Sequence, residues 1–463
     1  MSDNNKKTLL LTAAFAAFVF LQFTVLRICN SAGEGYLDVS GQEQVYYALQ
    51  VFVIIGFFAN AAVRTFAPGD KVRRITLACA LAGFFIGSAI LIFGKSSGFY
   101  LVTAFATVLF LGFFGGAAYE IMSRATALGE KTGFAMGIGC AAAVALQYVL
   151  QIQWGKTALL PVFMLAAFVM LSFFLLKYPP EKSVQAAPAN REKTAPRQIV
   201  FACLIAAALL FFASFYNNYI HRLQISSGYG QYNVYSWPRL MLIPCYLFFA
   251  FIGDKRQGKF VPVAALCIAL AALLNSVLTG SEGAYELNMC LFYCAIAALA
   301  SYYILVFWRI AQGTRHPALW APMGRVLDSF SVLAAAALKL STLPSTAVLT
   351  LNIIVLAVMI VLMAINGDFN FSVPEDRTPT PQASPFDAEE RLSRLSERFG
   401  LTPKETAVLR ELVLTEDKQE AIGQSLSIKK STVQFHTTSI YRKTGASTRS
   451  GLCELFYGSQ EDL

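Results

Sequence analysis

A short segment near the C-terminus, Lys430–Lys443, carries side chains suited to reading DNA. Val433 and Ile440 lie seven residues apart and predict the buried face of a helix. The opposite face then presents Gln434, Phe435, Thr438 and Arg442. Amide, hydroxyl and guanidinium groups on one helix face can hydrogen-bond to base edges and phosphates in a major groove. The segment therefore predicts a DNA-reading helix.

Positive charge surrounds this helix without an acidic neighbour. Between Ala421 and Cys453 there is no Asp or Glu, whereas five cations occur: Lys429, Lys430, Arg442, Lys443 and Arg449. After Gly400 as a whole, eight Lys and Arg are balanced by eight Asp and Glu. The charge is thus concentrated on one part of the tail, as phosphate contact requires. The alternative is a solvated helix in a small helical bundle.

Two shorter helices must position this one. Thr402, Pro403 and Glu405 have the spacing of a helix start with a capping box. A buried stripe follows at Val408, Leu409, Leu412 and Val413. A second helix is predicted at about 419–426, with Ala421, Ile422 and Leu426 inward and Gly423 allowing close packing. Ser427 and Ile428 then turn the chain into the third helix.

These landmarks resemble the LuxR-type helix-turn-helix over about 55 residues. The matching pattern is Leu401-Thr402-x-x-Glu405-x-x-Val408-Leu409, Ile422-Gly423-x-x-Leu426-x-Ile428-x-x-x-Thr432-Val433-x-x-His436, Ile440-Tyr441-x-Lys443-x-Gly445 and Ser447-x-Arg449. The resemblance implies binding to double-stranded DNA as a homodimer, through a fourth helix at about 448–457. It assigns base edges to Gln434, Phe435 and Thr438, and phosphates to Lys430, Thr432, Tyr441 and Lys443.

Three positions depart from the family pattern. Gln434 stands where the family usually has Lys, Thr444 where it has Leu, and Ala421 where a Glu is common. The first change removes a charge from the groove face, but Gln can pair with adenine through two hydrogen bonds. We therefore expect an altered base preference and weaker binding. His436 is expected to pack or contact phosphate.

The remainder of the chain has the composition of a membrane protein. Of its 463 residues 56% are hydrophobic and 14% charged, and the mean hydropathy is +0.54. Soluble domains average about 25% charged residues. The nine Cys form no CxxC pair and are interpreted as packing, so neither a metal site nor a cofactor is predicted. Met1–Cys29 could be a signal peptide, but its apolar run favours a first span.

Twelve segments are long and apolar enough to be transmembrane helices. They lie at roughly 8–29, 43–66, 75–94, 98–119, 133–153, 157–177, 198–220, 237–253, 261–280, 287–308, 319–340 and 345–366. Placing the N-terminus inside puts nineteen Lys and Arg on the inner side and six on the outer side. This bias predicts that both termini are cytoplasmic, since positive loops face the cytoplasm.

Two loops of similar sequence divide the spans into halves. Gly69-Asp70-Lys71 follows span 2, and Gly253-Asp254-Lys255 follows span 8. Between the halves lies a Pro-rich polar segment, 178–197, as a cytoplasmic linker would have. The loops resemble the signature of the major facilitator superfamily, whose architecture is two six-span halves. The resemblance covers about residues 8–366; the alternative is two unrelated positive loops.

Polar residues inside the spans predict a ligand site, because such residues usually face a cavity or a partner helix. In the facilitator fold spans 1 and 7 line the central cavity. Gln22, Arg27, Asn217, Asn218 and Arg239 could then hold a small polar or anionic ligand, with Tyr216 and Tyr246 as aromatic walls. Alternatively, the residues near the outer ends belong to the headgroup region and its aromatic belt.

The sequence thus predicts an all-α chain with two domains. Residues 1–366 form a polytopic membrane bundle of halves 8–177 and 198–366, 367–398 a linker and amphipathic lead-in, and 399–463 a four-helix DNA-binding domain. The predicted function is a bacterial, membrane-anchored, one-component transcription regulator that senses an unknown small molecule. The alternative is a small-solute transporter with a regulatory tail. No enzyme motif is present, so no catalytic residue is expected.

Overall fold

A computed structural model describes residues 3–33, 37–94, 99–126, 131–153, 159–177, 196–226, 236–279, 285–339, 343–367, 385–415, 419–446 and 449–457. These residues form helices and turns without strands. They divide into two compact units, Met1–Phe371 and Ser372–Leu463. Parts of the two predicted linkers lie outside the described residues, namely 178–195 of the first and 368–384 of the second.

Among the residues that the structure describes, the first unit has twelve α-helices of 13 residues or more, one at each predicted span. They are α1 (Asp3–Gly33), α2 (Val39–Phe66), α3 (Asp70–Phe93), α4 (Tyr100–Thr126), α5 (Thr132–Gln147), α6 (Leu159–Lys177), α7 (Pro196–Ser226), α8 (Leu242–Asp254), α9 (Val261–Thr279), α10 (Tyr285–Gln312), α11 (Met323–Ala337) and α12 (Ser345–Asn366). Ten of these described helices are long and apolar enough to cross a membrane. The exceptions are α8 and α11.

The helices α8 and α11 are shorter than predicted because each span is interrupted near its start. The predicted span at 237–253 begins as a 3-10 helix, Trp237–Met241, before α8. The one at 319–340 begins in a single helical turn, Pro317–Trp320, and α11 starts only after Pro322. Proline lacks the N–H that continues an α-helix and clashes with the preceding turn. Continuous helices over these two ranges were therefore a wrong prediction.

The two halves repeat the same pattern of neighbouring helices. In the first half α1 packs on α4, α5 and α6, and α4 packs on α2 and α3. In the second half α7 packs on α10, α11 and α12, and α10 packs on α8 and α9. Between the halves α5 meets α8 and α2 meets α11, two contacts that a twofold axis would exchange. The predicted pair of six-helix halves is confirmed.

Glycines bring α5 and α8 into backbone contact across the two halves. A Cβ on Gly137 would lie 2.4 Å from the backbone oxygen of Tyr246, and one on Gly133 would lie 2.8 Å from that of Ala250. Asp254 at the end of α8 accepts hydrogen bonds from the backbone N–H groups of Gly133 (2.5 Å) and Phe134 (2.8 Å). The second half thereby caps the start of α5 and fixes Tyr246 beside it.

The second unit has five helices around its own hydrophobic core. They are α13 (Pro385–Arg398), α14 (Pro403–Leu414), α15 (Gln419–Ser425), α16 (Lys430–Thr444) and α17 (Arg449–Tyr457). The predicted capping box is present, with Thr402 and Glu405 bonding to each other's backbone N–H. Gly423 is needed for close packing, since a Cβ there would lie 2.8 Å from the oxygen of Ile428.

Helix α13, which the sequence assigns to the lead-in at 367–398, packs with the second unit. Its Leu392 and Leu395 are buried in the same cluster as Val408 and Phe456. Arg391 also donates to the backbone oxygen of Phe456 at 3.2 Å. The predicted amphipathic stripe of the lead-in therefore contacts the hydrophobic core of the second unit.

Candidate functional site

The two faces of α16 differ as the sequence predicts. Val433 and Ile440 are fully buried against the other helices of the second unit. The predicted groove residues Gln434, Phe435, Thr438 and Arg442 are all exposed. Lys429 caps the start of the helix with extended backbone, and Gly445 ends it in the left-handed conformation. The fold thus leaves one complete face of α16 open to a partner.

Phe435 is the most unusual residue on that face. Its side chain is 71% exposed, and the ring contacts the ring of the half-buried His436 at 5.7 Å between centroids. An exposed phenyl ring amid polar groups offers apolar contact area where none is needed for folding. The thymine methyl group is the apolar feature of the major groove. The position is therefore suited to contact with a base.

The predicted phosphate contacts fall into two groups. Lys430 is exposed and its Nζ lies 2.5 Å from Glu420 Oε1, so this surface pair can open to a phosphate at little cost. Lys443 instead donates to Glu405 Oε2 (2.7 Å) and to the Gly400 oxygen (3.0 Å), inside the domain. Thr432 and Tyr441 are half-buried, and Tyr441 packs on the core. Lys430 is thus the most accessible of the four.

Arg449 bonds to the end of another helix, a role that the sequence pattern did not predict. Its guanidinium group donates to the backbone oxygens of Leu412 (2.8 Å) and Thr415 (2.5 Å) at the end of α14. Cations at a helix C-terminus satisfy carbonyl groups that lack partners within the helix. Arg449 therefore joins α17 to α14, and the cationic groups that remain exposed beside the groove face are Lys429, Lys430 and Arg442.

Glu405 bonds to side chains in the C-terminal part of α16. Its carboxylate accepts from Lys443 Nζ (2.7 Å), Ser439 Oγ (2.7 Å) and the Thr402 backbone N–H (2.8 Å). The hydrogen bonds from Lys443, Ser439 and Thr402, in that order of effect, lower the pKa of Glu405 from 4.5 to about 2. The buried carboxylate therefore links the start of α14 to the DNA-reading helix.

We expect the stability of the second unit to depend on the ionisation of Glu405. Because its pKa is lowered in the folded state, the stabilisation is present above pH 4.5 and is lost as pH falls toward 2. Glu405→Gln should lower the free energy of unfolding at pH 7 by about 2 kcal/mol, allowing for solvent screening at Lys443. Urea unfolding of a 372–463 fragment at pH 7 and pH 3 measures this.

The quantity to compare is the difference in free energy of unfolding between the native fragment and the Glu405→Gln variant at each pH. It should be large at pH 7 and shrink at pH 3, while the exposed Glu397→Gln behaves like the native fragment throughout. Parallel pH profiles for the native and Glu405→Gln fragments would contradict the assignment.

In the membrane unit, residues of both halves form a polar cluster around the half-buried Arg325. The guanidinium group of Arg325 pairs with Asp328 one turn later on α11. The Gln22 amide on α1 is placed with its oxygen toward Arg325, because this orientation gives hydrogen bonds of 2.7 and 3.2 Å. Tyr119 and Tyr303 are near enough to the same guanidinium group for its charge to act on their hydroxyl groups. Gln22 thus faces a charged group in the interior.

Arg239 extends this cluster toward α5 and α8. Its guanidinium group donates to Gln147 Oε1 at 2.9 Å and lies 5.6 Å from the ring centroid of Phe23. Tyr246 is buried and within electrostatic range of Arg239. The cluster, which we call the central polar cluster, is Gln22, Tyr119, Gln147, Arg239, Tyr246, Tyr303, Arg325 and Asp328.

The structure brings together only part of the predicted ligand site. Gln22, Arg239 and Tyr246 belong to the central polar cluster. Tyr216 instead donates to Asn288 Oδ1 (2.9 Å) and bonds to Ser276 (3.1 Å) within the second half. Arg27 and Asn217 are half-buried, and the side chain of Asn218 lies outside the described residues.

Arg325, Asp328 and Gln147 are functional candidates that the sequence interpretation did not include in the site. Arg325 is one of the nineteen cations that the sequence predicts on the inner side, and Arg239 is one of the six predicted on the outer side. Without these two residues the inner side still has many more Lys and Arg than the outer side. The spacing of Arg325 and Asp328 in an apolar segment was the available signal, since intramembrane ion pairs are usually functional.

The charges of the central polar cluster favour an anionic partner. Two guanidinium groups, those of Arg239 and Arg325, accompany one carboxylate, that of Asp328. The surrounding residues Phe15, Phe18, Phe57 and Trp308 pack edge-on against Tyr119. Such an apolar shell strengthens electrostatic interactions and disfavours an unbalanced positive charge.

Comparison with known proteins supports both parts of this description. The profile of the bacterial regulatory proteins of the luxR family matches residues 400–456. The crystal structure of the human organic anion transporter MFSD10 (TETRAN) is similar to the chain, with a TM-score of 0.50 and 15% identity. That similarity covers 78% of this chain and 100% of the transporter chain. Among curated protein sequences no match is found.

The tail therefore contains a LuxR-type helix-turn-helix domain, and the membrane unit has the fold of a major facilitator transporter. The domain implies DNA binding, and the many apolar helices make the chain a multi-pass membrane protein. At this level of identity the structural similarity concerns the fold alone.

Proposed function

We propose that the chain is a membrane-anchored, one-component transcription regulator of the bacterial cytoplasmic membrane. The observation that carries the proposal is the presence, in one chain, of a LuxR-type domain with an open α16 face and a facilitator-fold membrane unit. A transporter alone has no use for a DNA-reading helix. Nor does a soluble regulator need the ten described helices that are long and apolar enough to cross a membrane. The proposal includes no enzymatic activity.

The distribution of cations supports a cytoplasmic location for both termini. In the predicted topology, with Arg239 and Arg325 left out, far more Lys and Arg lie on the side of the N-terminus than on the other side. Because an even number of spans returns the chain to its starting side, the DNA-binding domain shares the cytoplasm with DNA.

The proposed signal is a small molecule with an anionic group, bound at the central polar cluster. Arg239 and Arg325 would supply the positive charge, and Tyr246 and Tyr303 the walls. A ligand shifts an equilibrium only through different affinities for the two states. Since the cluster joins both halves, a change in their packing is the structural difference that a ligand there can favour. DNA binding as a homodimer through α17 would be the output.

Lys430 and Gln434 give this proposal a quantitative test. We expect a 372–463 fragment, which has its own core, to bind a selected promoter in a salt-dependent manner. The logarithm of the binding constant falls linearly with the logarithm of the salt concentration, and we call the steepness of this line the salt slope. Lys430→Ala should reduce the salt slope by about one with little change in base preference. Gln434→Ala should change base preference more than the slope. Fluorescence anisotropy titrations over a range of salt concentrations measure both.

The controls for this test are internal to the chain. Lys404 lies at the start of α14, so Lys404→Ala should leave the slope unchanged. Equal effects of Lys430→Ala and Gln434→Ala would contradict the division of roles. If the folded fragment shows no promoter-selective binding at all, the proposed function is wrong.

A second candidate function is a small-solute transporter with a regulatory DNA-binding tail. The facilitator fold favours it, and the similar human protein is named an organic anion transporter. Uptake of a labelled organic anion into proteoliposomes would support this alternative if Arg239→Ala abolished it. Arg27→Ala is tested beside it, because Arg27 was also predicted for the site. Promoter control without uptake would favour the sensor.

A further inference from the structure

A groove between α3 and α6 lies on the surface of the first half and shares no residue with the central polar cluster. Its volume is about 230 Å³, and the buried Leu21 of α1 lies at its base. Phe93 on the α3 side is 70% exposed, and Leu165 on the α6 side is 48% exposed. Because both residues belong to helices that are long and apolar enough to cross a membrane, the groove opens to the lipid phase.

Four phenyl rings line this groove, those of Phe84, Phe85, Phe93 and Phe168. The Phe168 ring of α6 stacks on Phe84 and Phe85 of α3, at 5.9 and 5.5 Å between ring centroids. These stacked rings join the two helices at one end of the groove. The faces and edges of phenyl rings favour contact with a further ring. The lining is therefore suited to a flat, apolar molecule.

Ser88 is the one polar residue among the described residues that line the groove. It is only 8% exposed, and its hydroxyl group makes no hydrogen bond with any described residue. A serine within a helix often donates to the backbone oxygen four residues earlier, here that of Phe84, but Ser88 does not. A hydroxyl group without a partner is costly in lipid, where no water can replace the missing bond. An occupant with a hydrogen-bond acceptor would remove this cost.

A lipid acyl chain is a poorer occupant of this groove than a rigid ring. It carries no acceptor along its length, so the Ser88 hydroxyl group would stay unsatisfied. It gains nothing from the hydrophobic effect, because it leaves one apolar surrounding for another, and it loses conformational freedom on binding. A planar ring loses little freedom and gains contact with the phenyl rings. Since a cavity of about 150 Å³ holds benzene, the groove has room for two fused rings.

We propose that the groove binds an uncharged, lipid-soluble molecule of two fused aromatic rings that carries a carbonyl group. The carbonyl oxygen accepts a hydrogen bond from Ser88, and the rings lie against Phe84, Phe85 and Phe168. Such a ligand enters from the membrane and not from water. The site is independent of the proposed regulatory function, since it uses no residue of the central polar cluster or of α16.

The test measures binding of tritiated 2-acetylnaphthalene to the full-length chain in phosphatidylcholine nanodiscs. Empty nanodiscs give the baseline, because the probe also dissolves in lipid. Binding above this baseline should saturate at one molecule per chain. 2-Ethylnaphthalene has the same rings without the oxygen, so it should compete with an affinity about fivefold lower, the factor expected for one hydrogen bond of ordinary strength.

Three variants locate the probe in the groove. Ser88→Ala should lower the affinity for 2-acetylnaphthalene about fivefold and remove its advantage over 2-ethylnaphthalene. Ser172→Ala is the matched control, because the Ser172 hydroxyl group on α6 also lacks a hydrogen-bond partner among the described residues but does not line the groove. It should leave both affinities unchanged. Ala89→Leu puts a larger side chain into the lining and should abolish saturable binding of both molecules.

Four outcomes overturn the proposal. If nanodiscs with the chain take up no more probe than empty ones, the groove holds bulk lipid only. Equal affinities of the native chain for the two naphthalenes would mean that no hydrogen bond forms, a result that needs no variant to fold. Binding that survives Ala89→Leu places the probe elsewhere. An equal loss of affinity in Ser88→Ala and Ser172→Ala would be a general effect of the substitutions and not the loss of a ligand contact.

Discussion

Replacing Phe435 with alanine should weaken operator binding by the LuxR-type domain about tenfold. The ring is 71% exposed on the face of α16 that the fold leaves open. Contact with a thymine methyl group would bury much of that apolar area. A loss of about 1.4 kcal/mol, which is one order of magnitude in affinity, is typical of losing one well-packed apolar contact. Anisotropy titrations with the 372–463 fragment measure the change.

The same contact can be removed from the DNA side. Substituting uracil for one thymine of the operator deletes only the methyl group, so it should cost the native fragment nearly as much as Phe435→Ala. The two changes together should then cost little more than either one alone. Gln434→Ala is the control, because it leaves the ring in place and should retain the uracil effect. Uracil effects that are unchanged by Phe435→Ala would contradict the contact.

The DNA-reading helix could be predicted from sequence because its determinants are local. The spacing of Val433 and Ile440 fixes which face is buried, and the capping box at Thr402 and Glu405 fixes where α14 begins. The positions of Lys443 and Arg449 could not be predicted this way. Each cation bonds to groups 34 or more residues away in the sequence. The periodicity of apolar residues predicts helix faces but not such long-range contacts. Charge alone cannot distinguish a phosphate contact from a helix cap.

The membrane unit shows the same division between local and distant determinants. Hydropathy predicted where the twelve helices lie, because a helix in lipid can satisfy its own backbone N–H and C=O groups. Two of these helices, α8 and α11, are shorter than the predicted spans. It did not predict which polar residues meet. Tyr216 faces α9 and α10, whereas Arg325, assigned to a loop, bonds to Gln22 across the two halves. The interruption at Pro322 is what places Arg325 at the start of α11.

Arg325 should therefore be the residue on which the stability of the membrane unit depends most. Arg325→Gln leaves the carboxylate of Asp328 without its partner in the interior of the unit. Removing one member of a fully buried ion pair costs about 3–5 kcal/mol, and because the side chains of Arg325 and Asp328 are 14% and 23% exposed we expect a smaller loss here. We expect a clear fall in the apparent melting temperature of the full-length chain in detergent. Arg315→Gln is the control, because Arg315 is exposed in the preceding turn and should have little effect.

Removing both charges separates the structural role of Arg325 from its proposed role in ligand binding. The Arg325→Gln, Asp328→Asn double variant has no unpaired charge, so its melting temperature should return most of the way to the native value. It also lacks one of the two guanidinium groups that favour an anion, so promoter control in cells should remain lost. If the double variant is as unstable as Arg325→Gln, Asp328 is not the group that Arg325 stabilises. If it is stable and still responds to the signal, the anion binds without Arg325.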